Sequence, residues 1–189
     1  MVDVPQWWTG RLLVASPSLT DPNFARSVVL VLDHDEDGAL GVVLDRPSEL
    51  AVADVLPGWA AVVAAPAQLF AGGPVSTGSA LGVARLSDET ENAPLGWRRV
   101  FGDTGLLDLD TPVEVLAGAL GGLRIFAGYS GWGAGQLEAE VEEGSWLVLA
   151  ALPGDLVTSS PETLWGEVLR RQRGRTALLA TFPVDPMQN

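Results

Sequence analysis

The chain is organised around the run Gly128-Tyr129-Ser130-Gly131-Trp132-Gly133-Ala134-Gly135-Gln136-Leu137-Glu138. Residues 124–129, which are mostly apolar after Arg124, lead into this run and predict a strand. The acidic residues 136–143 predict a short helix after it. The closely spaced glycines between them predict a tight turn, because glycine adopts backbone conformations that other residues avoid. We expect this turn to let Trp132 pack closely against the domain.

A glycine-rich turn between a strand and a helix is also typical of phosphate-binding loops. The spacing here differs, because Gln136 occupies the last glycine position of Gly-x-Gly-x-x-Gly, and a chain without lysine has no Gly-Lys-Ser/Thr motif. The following helix carries Glu138 and Glu140 near its positive N-terminal end, which disfavours a phosphate there. A packing turn is therefore the better interpretation of the run.

Composition restricts the class of protein. The 189 residues include 47% apolar residues, enough for a core, and no linker or repeat divides them, so we predict one domain over residues 1–189. The net charge is −13, which disfavours a nucleic-acid partner because phosphate backbones bind clustered basic groups. The chain has no cysteine, which excludes disulfides, thiolate catalysis and zinc–thiolate sites.

The N-terminal residues 1–9 lack the basic and long apolar regions of a signal peptide. Residues 115–135 form the longest weakly charged stretch, but Arg124 and several glycines interrupt it, so it does not predict a membrane span. We expect a cytoplasmic protein.

Predicted strands outnumber predicted helices. The strands are predicted at residues 12–15, 27–33, 39–44, 68–71, 80–86, 98–101, 105–109, 124–129, 145–152 and 177–182. The helices are predicted at residues 50–56, from a capping box at 111–114, at 136–143, and from a second capping box at 159–162 to about residue 173. Helices do not alternate regularly with strands, so the pattern favours an α+β domain with a mixed sheet.

The loop Asp33-His34-Asp35-Glu36-Asp37-Gly38 matches the first half of an EF-hand calcium loop, but Leu44 stands where that loop needs a bidentate glutamate. An acidic, solvated hairpin loop is the better interpretation. His34 is the only histidine, so a serine hydrolase would have to use it, with Ser130 as the obvious nucleophile. Trp132 replaces the last glycine of Gly-x-Ser-x-Gly, which disfavours that chemistry.

The basic residues cluster at one place, Arg170 to Arg175, near the C-terminal end of a predicted helix, where the helix dipole favours cations. The chain also has seven tryptophans, which is high for its length. We expect Trp132, Trp146 and Trp165 to lie in the core.

Motif residues along nearly the whole chain match one family in the expected order. They are Gly10 to Ala15, Leu19, Asp21, Phe24, Arg26 to Val29, His34, Gly38 to Gly41, Arg46-Pro47, Gly72 to Val75, the 128–138 run, Trp146 and Trp165. On these residues the chain resembles the AlgH/YqgE family of bacterial proteins. The resemblance implies one α+β domain with a mixed, mostly antiparallel, bifurcated and barrel-like sheet and a few flanking helices, and no established enzymatic activity.

The resemblance also implies a transcriptional-regulator label, because one family member was named for a role in alginate production. The residues themselves do not support this label, since no helix-turn-helix with a basic recognition helix is visible here. Two positions depart from the family pattern. Asp45 stands where asparagine is usual, and an ionised carboxylate has no N–H to donate. Ser130 stands where alanine is common, which further disfavours it as a nucleophile.

Three functional hypotheses follow. The leading one is a non-enzymatic binding or regulatory protein that contacts a protein or small ligand, as a monomer or weak homo-oligomer. The second is a small-ligand enzyme using carboxylates or backbone donors near His34, with Asp21, His34, Asp45 and the 72–74 loop grouped in space. The third is a nucleic-acid-associated regulator using Arg170–Arg175. We assign no catalytic residue, cofactor or metal. The candidate binding surface consists of Asp21, Phe24, Arg26, His34, Asp45, Arg46, Gly72, Gly73, Pro74, Tyr129, Ser130, Trp132, Gln136 and Glu138.

Overall fold

The computed structural model of the protein describes residues 7–87 and 93–183. Its strands are β1 (Arg11–Ala15), β2 (Val28–Asp35), β3 (Gly38–Val43), β4 (Pro47–Ala51), β5 (Gln68–Ala71), β6 (Val75–Leu86), β7 (Trp97–Phe101), β8 (Thr104–Leu107), β9 (Leu120–Gly133) and β10 (Trp146–Ala150). Its α-helices are α1 (Val52–Val55), α2 (Val113–Leu116), α3 (Gln136–Glu142), α4 (Leu164–Arg170) and α5 (Arg175–Leu178). Short 3-10 helices cover Pro57–Trp59, Ala117–Ala119, Pro161–Thr163 and Leu179–Thr181.

The strands of the described residues form one sheet that divides at β9. Along its main path the order is β10-β1-β2-β3-β9-β6-β8-β7, with antiparallel neighbours throughout. The last residues of β9 pair with β3, and its earlier residues pair with β6. A short branch, β4 with β5, joins β9 through the parallel pair Phe70 and Phe126. The predicted α+β fold with a mixed, mostly antiparallel, bifurcated sheet is confirmed.

Glycine makes the division of the sheet possible. Gly72 lies between β3 and β9: its amide donates to the Ala127 carbonyl at 2.9 Å, and its carbonyl accepts from the Val43 amide at 2.9 Å. A Cβ atom on Gly72 would lie 2.3 Å from the Gly128 carbonyl oxygen. Gly128 itself has a φ of +71°, a conformation that favours glycine. We call this junction the fork.

Three apolar clusters stabilise the sheet. The largest joins the sheet to α4 and includes Leu12, Leu30, Phe70, Phe126 and Leu169. A second lies between β6, β8 and β9 and the helical segments around α1 and α2. The third lies under α3 and contains Trp132 and Trp146. Trp165 on α4 belongs to the largest cluster and donates its indole N–H to the Ala15 carbonyl at 2.9 Å, so all three tryptophans are buried as expected.

The glycine-rich run differs from its predicted form. Residues 128–133 continue β9 as a strand, and the turn is confined to Ala134 and Gly135. Hydrogen bonding with β3 outweighs the poor strand propensity of glycine, because strand preference depends strongly on the neighbouring strands. Trp132 nevertheless packs closely, as predicted.

The predicted strand at residues 177–182 is wrong, since these residues lie in α5 and a 3-10 helix. Short apolar runs do not distinguish helix from strand by periodicity, and alanine and leucine favour helix. Neither predicted capping box forms. Pro112 has an extended ψ of 130° and is itself the N-cap, which leaves Thr111 one position too early. Ser160 is the N-cap of a 3-10 helix and makes no side-chain bond.

The hairpin of β2 and β3 confirms the predicted pair of strands, although His34 and Asp35 belong to β2 rather than to the loop. The polar sequence of residues 88–96 predicts a further loop, and its residues 88–92 lie outside the described residues. In the described part of the chain, no helix has both the length and the apolar character needed to cross a membrane.

Candidate functional site

The predicted surface residues fall into three places rather than one. At the fork lie Gly72, Gly73, Pro74, Tyr129 and Ser130, with Asp45 and Arg46 beside them. Under α3 lie Phe24, His34, Trp132, Gln136 and Glu138. Arg26 stands apart, with its guanidinium over the ring of Trp165.

Asp21 belongs to the loop that leads towards the fork. Its carboxylate accepts the Asn23 amide at 2.8 Å, which fixes a local turn. The guanidinium of Arg46 donates to the carbonyls of Pro22 and Ala25, at 3.3 and 2.8 Å. Arg46 therefore ties this loop to the fork.

The fork residues are closely packed against backbone. A Cβ atom on Gly73 would lie 2.3 Å from the Tyr129 carbonyl, and the φ of Gly73 is +153°. The hydroxyl of Ser130 is fully buried and donates to the Gly72 carbonyl at 3.1 Å. The glycines and Ser130 at the fork therefore maintain the division of the sheet, and Ser130 is not poised as a nucleophile.

The group at α3 packs around the side chain of Glu140, which lies on that helix. One carboxylate oxygen of Glu140 accepts the indole N–H groups of Trp132 and Trp146, at 2.9 and 2.8 Å, and the other accepts the Gln136 amide at 2.9 Å. The Phe24 ring packs on both indoles, with centroid distances of 6.0 and 5.5 Å. The predicted surface did not include Glu140, whose only sequence signal is its four-residue spacing from Gln136.

We expect Glu140→Gln to lower the free energy of unfolding by roughly 1–3 kcal/mol, because an amide replaces a charged acceptor shared by two buried indoles. Urea denaturation measures this effect. Glu142→Gln, an exposed change of the same charge on the same helix, is the control and leaves the midpoint almost unchanged. Equal midpoints for the two variants would contradict the role of Glu140.

His34 is 4% exposed, and both ring nitrogens are engaged. Nδ1 accepts the Trp8 amide at 3.1 Å, which assigns the proton to Nε2, 3.2 Å from a carboxylate oxygen of Glu138. The Trp7 and Trp8 rings also pack on the imidazole, each at 5.1 Å between centroids. His34 therefore fastens the N-terminal segment to α3, and its hydrogen bonds do not include Ser130.

His34 and Asp45 are far apart. Asp45 accepts the amide of Val28, at the start of β2, whereas His34 lies six residues further along the same strand. At a rise of about 3.3 Å per residue, this separation is roughly 20 Å. The structure thus does not form the group of Asp21, His34, Asp45 and the 72–74 loop that the enzyme hypothesis requires.

Asp45 has an unusual electrostatic environment. Burial raises the pKa of its carboxyl from 3.8 to about 7, and the Val28 amide and the Arg46 charge only partly oppose this rise. A carboxyl group with such a pKa holds its proton in mildly acidic solution and can then donate a hydrogen bond as an asparagine amide does.

The acidic sequence cluster forms a hairpin turn, and the basic sequence cluster divides in space. Asp35 and Asp37 form the tight β2–β3 turn, where the Asp35 carboxylate accepts the Asp37 amide at 2.9 Å. No group of three or more acidic or histidine side chains in the described residues is arranged to hold a metal ion. Arg171 pairs with Asp155 at 2.7 Å, whereas Arg170 lies over Gly166, so the arginines do not form one basic edge.

On either side of β9 the sheet has two arms, β10-β1-β2-β3 and β6-β8-β7. Sequence reasoning missed a cavity of about 180 Å³ between these two arms. Its apolar lining comes from Gly10, Leu30, Leu44, Phe101, Ala151, Leu152, Pro153 and Leu156, and its polar lining from Arg85, Asp103, Thr104 and Asp155. A Cβ on Gly10 would lie 2.9 Å from the Phe101 ring, so glycine allows the first strand to approach β7. These residues are dispersed through the sequence and carry no common motif.

Comparison with known proteins places the chain in a family. The family model described as AlgH-like, DUF179, matches residues 12–177. A UPF0301 protein of Streptomyces avermitilis is 60% identical over 183 residues, covering 96% of this chain and 95% of the relative. A UPF0301 protein of Mycobacterium tuberculosis is 50% identical over 182 residues, covering 95% and 90%.

Two solved structures share the fold. A crystal structure of a Corynebacterium diphtheriae protein has a TM-score of 0.88 at 35% identity and covers 96% of this chain and 95% of its own. The solution structure of the AlgH protein from Pseudomonas aeruginosa, UPF0301, has a TM-score of 0.69 at 27% identity, with 97% and 98% covered. Because the family model, the relatives and the fold all match, the chain belongs to the AlgH-like (UPF0301) family.

Proposed function

We propose that the protein is a non-enzymatic, regulatory binding protein that receives an apolar side chain of a partner protein in the cavity between the arms of the sheet. The observation that carries this proposal is the cavity itself, which combines a mainly apolar lining with charged groups that are already paired.

The size of the cavity favours a side chain over a whole metabolite. Sites for small molecules usually enclose about 300–1,000 Å³, whereas a cavity of about 150 Å³ accepts a benzene ring. The cavity here measures about 180 Å³, close to the second value. Protein interfaces obtain much of their binding energy from one or two apolar anchors seated in such pockets.

The polar groups at the cavity favour binding over catalysis. Arg85 forms an ion pair with Asp103, and the same guanidinium donates to the Pro153 carbonyl at 3.3 Å. Asp155 is paired with Arg171 and also accepts the Leu152 amide at 2.7 Å. These ion pairs order the edge of the cavity and balance its charge, so a partner would contact a polar rim around an apolar centre.

Photocrosslinking in cells tests this proposal. A photoreactive phenylalanine analogue replaces Leu152, which is 52% exposed beside the cavity, or Val115, which is 50% exposed on α2 and serves as the control position. We expect a discrete adduct from position 152 alone. We also expect Ala151→Phe, which fills the cavity, to abolish this adduct, while Ala134→Phe in the exposed turn preserves it.

An adduct that persists in Ala151→Phe with unchanged yield would contradict the cavity as the binding site. A thermal melt of each variant separates loss of binding from loss of fold. The cytoplasmic location and the monomeric or weakly oligomeric state are parts of the same proposal, which cell fractionation and analytical ultracentrifugation check. The apolar lining and paired charges of the cavity support neither the nucleic-acid nor the enzyme hypothesis.

A further inference from the structure

A second recess, separate from the cavity between the arms, lies between α4 and the loop before β2. Its volume is about 250 Å³, and its lining includes Arg26, Glu162, Trp165, Gly166 and Arg170. Two guanidinium groups and one carboxylate thus face the same space. Their combined charge of +1 contrasts with the strongly acidic chain.

Arg26 is held in an uncommon backbone conformation. Its φ is +56°, which L-residues rarely adopt and which concentrates at functional sites. The guanidinium carbon lies 4.0 Å from the centroid of the buried Trp165 ring, and one N–H donates to the Phe182 carbonyl at 3.0 Å. Stacking and this single bond fix the plane of the guanidinium and leave its other N–H groups for a ligand.

Arg170 reaches the recess because residue 166 is glycine. A Cβ atom at Gly166 would lie 3.0 Å from a terminal nitrogen of Arg170, so the guanidinium rests directly on the helix surface. Glycine inside a helix is unfavourable relative to alanine, yet here it gives Arg170 this position. Within residues 7–87 and 93–183, the guanidinium of Arg170 makes no hydrogen bond or ion pair.

We propose that the recess binds an oxyanion, a phosphate or carboxylate group of a small ligand, between the guanidinium groups of Arg26 and Arg170. Guanidinium forks match both anions in geometry and charge. Glu162, which forms no ion pair among the described residues, opposes multiply charged anions and selects for singly charged ones.

Titrations of the full chain, followed by amide and indole NMR shifts of Gly166 and Trp165, test this proposal. The probes are inorganic phosphate, sulfate and acetate, each at constant ionic strength, and their relative affinities distinguish the phosphate from the carboxylate class. We expect saturable shifts with at least one probe, and we expect Arg26→Gly or Arg170→Gln to weaken binding by about tenfold or more. Arg26→Gly suits the positive φ and therefore preserves the fold.

Three further variants make the result specific. Glu162→Gln is expected to tighten phosphate binding severalfold, and Arg173→Gln, an exposed change on the same segment that does not line the recess, is expected to leave it within about twofold. Gly166→Ala is expected to raise the melting temperature while weakening binding, because it favours helix and displaces Arg170. Shifts that do not saturate, or equal losses in Arg170→Gln and Arg173→Gln, would overturn the proposal.

Discussion

Gly72→Ala is expected to destabilise the protein by at least about 3 kcal/mol, more than most single substitutions. The added methyl carbon would lie 2.3 Å from the Gly128 carbonyl oxygen and 2.9 Å from the Phe126 Cβ atom, and both belong to β9. Overpacking a core usually costs about 1–3 kcal/mol when side chains adjust, but here the obstacle is backbone. Relief would require β9 to move away from Gly72.

Such a movement would break the bonds that define the fork. Gly72 binds β9 through the Ala127 carbonyl and the Ser130 hydroxyl, and it binds β3 through the Val43 amide. Both arms of the sheet therefore lose their common anchor together. Guanidinium denaturation of Gly72→Ala measures the loss of unfolding free energy. A variant that does not accumulate in folded form would represent the largest such loss.

Gly78→Ala is the matched control, because a Cβ atom at Gly78 meets no atom within 4 Å. We expect its free energy of unfolding to stay within about 0.5 kcal/mol of the parent value. If Gly72→Ala does not fold, Ser130→Ala provides a measurable substitute, because it removes only the hydroxyl bond to Gly72. We expect it to lower the free energy of unfolding by about 1 kcal/mol. Similar stabilities for the Gly72 and Gly78 variants would contradict the fork as a steric constraint.

Local patterns in the sequence predicted those parts of the fold that local interactions form. The β2–β3 hairpin was predicted from two apolar runs around a polar loop, and α3 from an acidic run bounded by glycines, and both are confirmed. The glycine-rich run was misread because its structure depends on a strand far away in sequence. Gly131 pairs with Leu40 and Trp132 with Ala39, and no feature of residues 128–135 encodes that partner.

The candidate sites also differ in whether local sequence or distant residues form them. The family motif directed attention to Gly72, Ser130 and Trp132, and the structure places all three in buried, closely packed positions. The cavity between the arms was not predictable, because its walls come from β2, β6, β7 and the segment after β10, which only the curled sheet brings together. Arg26 was predicted as a surface residue, but its stacking on Trp165, far away in the sequence, was not predictable.

Asp45→Asn is expected to stabilise the protein in neutral and alkaline solution, by up to roughly 4 kcal/mol above pH 7. The Asp45 carboxyl has a pKa of about 7 in the folded state, raised by burial from 3.8. Below pH 3.8, both the folded and the unfolded chain carry the proton, and this group contributes no pH dependence. Between pH 3.8 and 7, the folded chain keeps the proton that the unfolded chain has lost, so stability falls by about 1.4 kcal/mol for each pH unit.

Asparagine removes this dependence without changing the shape of the side chain. Its amide oxygen can accept the Val28 amide as Asp45 does at 3.2 Å, and it carries no charge to bury. The difference in unfolding free energy between Asp45→Asn and the parent should therefore be near zero at pH 4, grow through pH 5 and 6, and level off above pH 7. Asp54→Asn, an exposed change of equal charge on α1, is the control and should follow the parent curve.

Urea denaturation of the three proteins at each pH decides the matter. A stability difference that is independent of pH would show that the Asp45 carboxyl keeps an ordinary pKa in the folded chain. A difference that grows towards alkaline solution would show that the parent is most stable when Asp45 is protonated and able to donate as an asparagine does. An asparagine and the aspartate at position 45 would then be equivalent in acid and distinct in base, because only the aspartate acquires a buried charge.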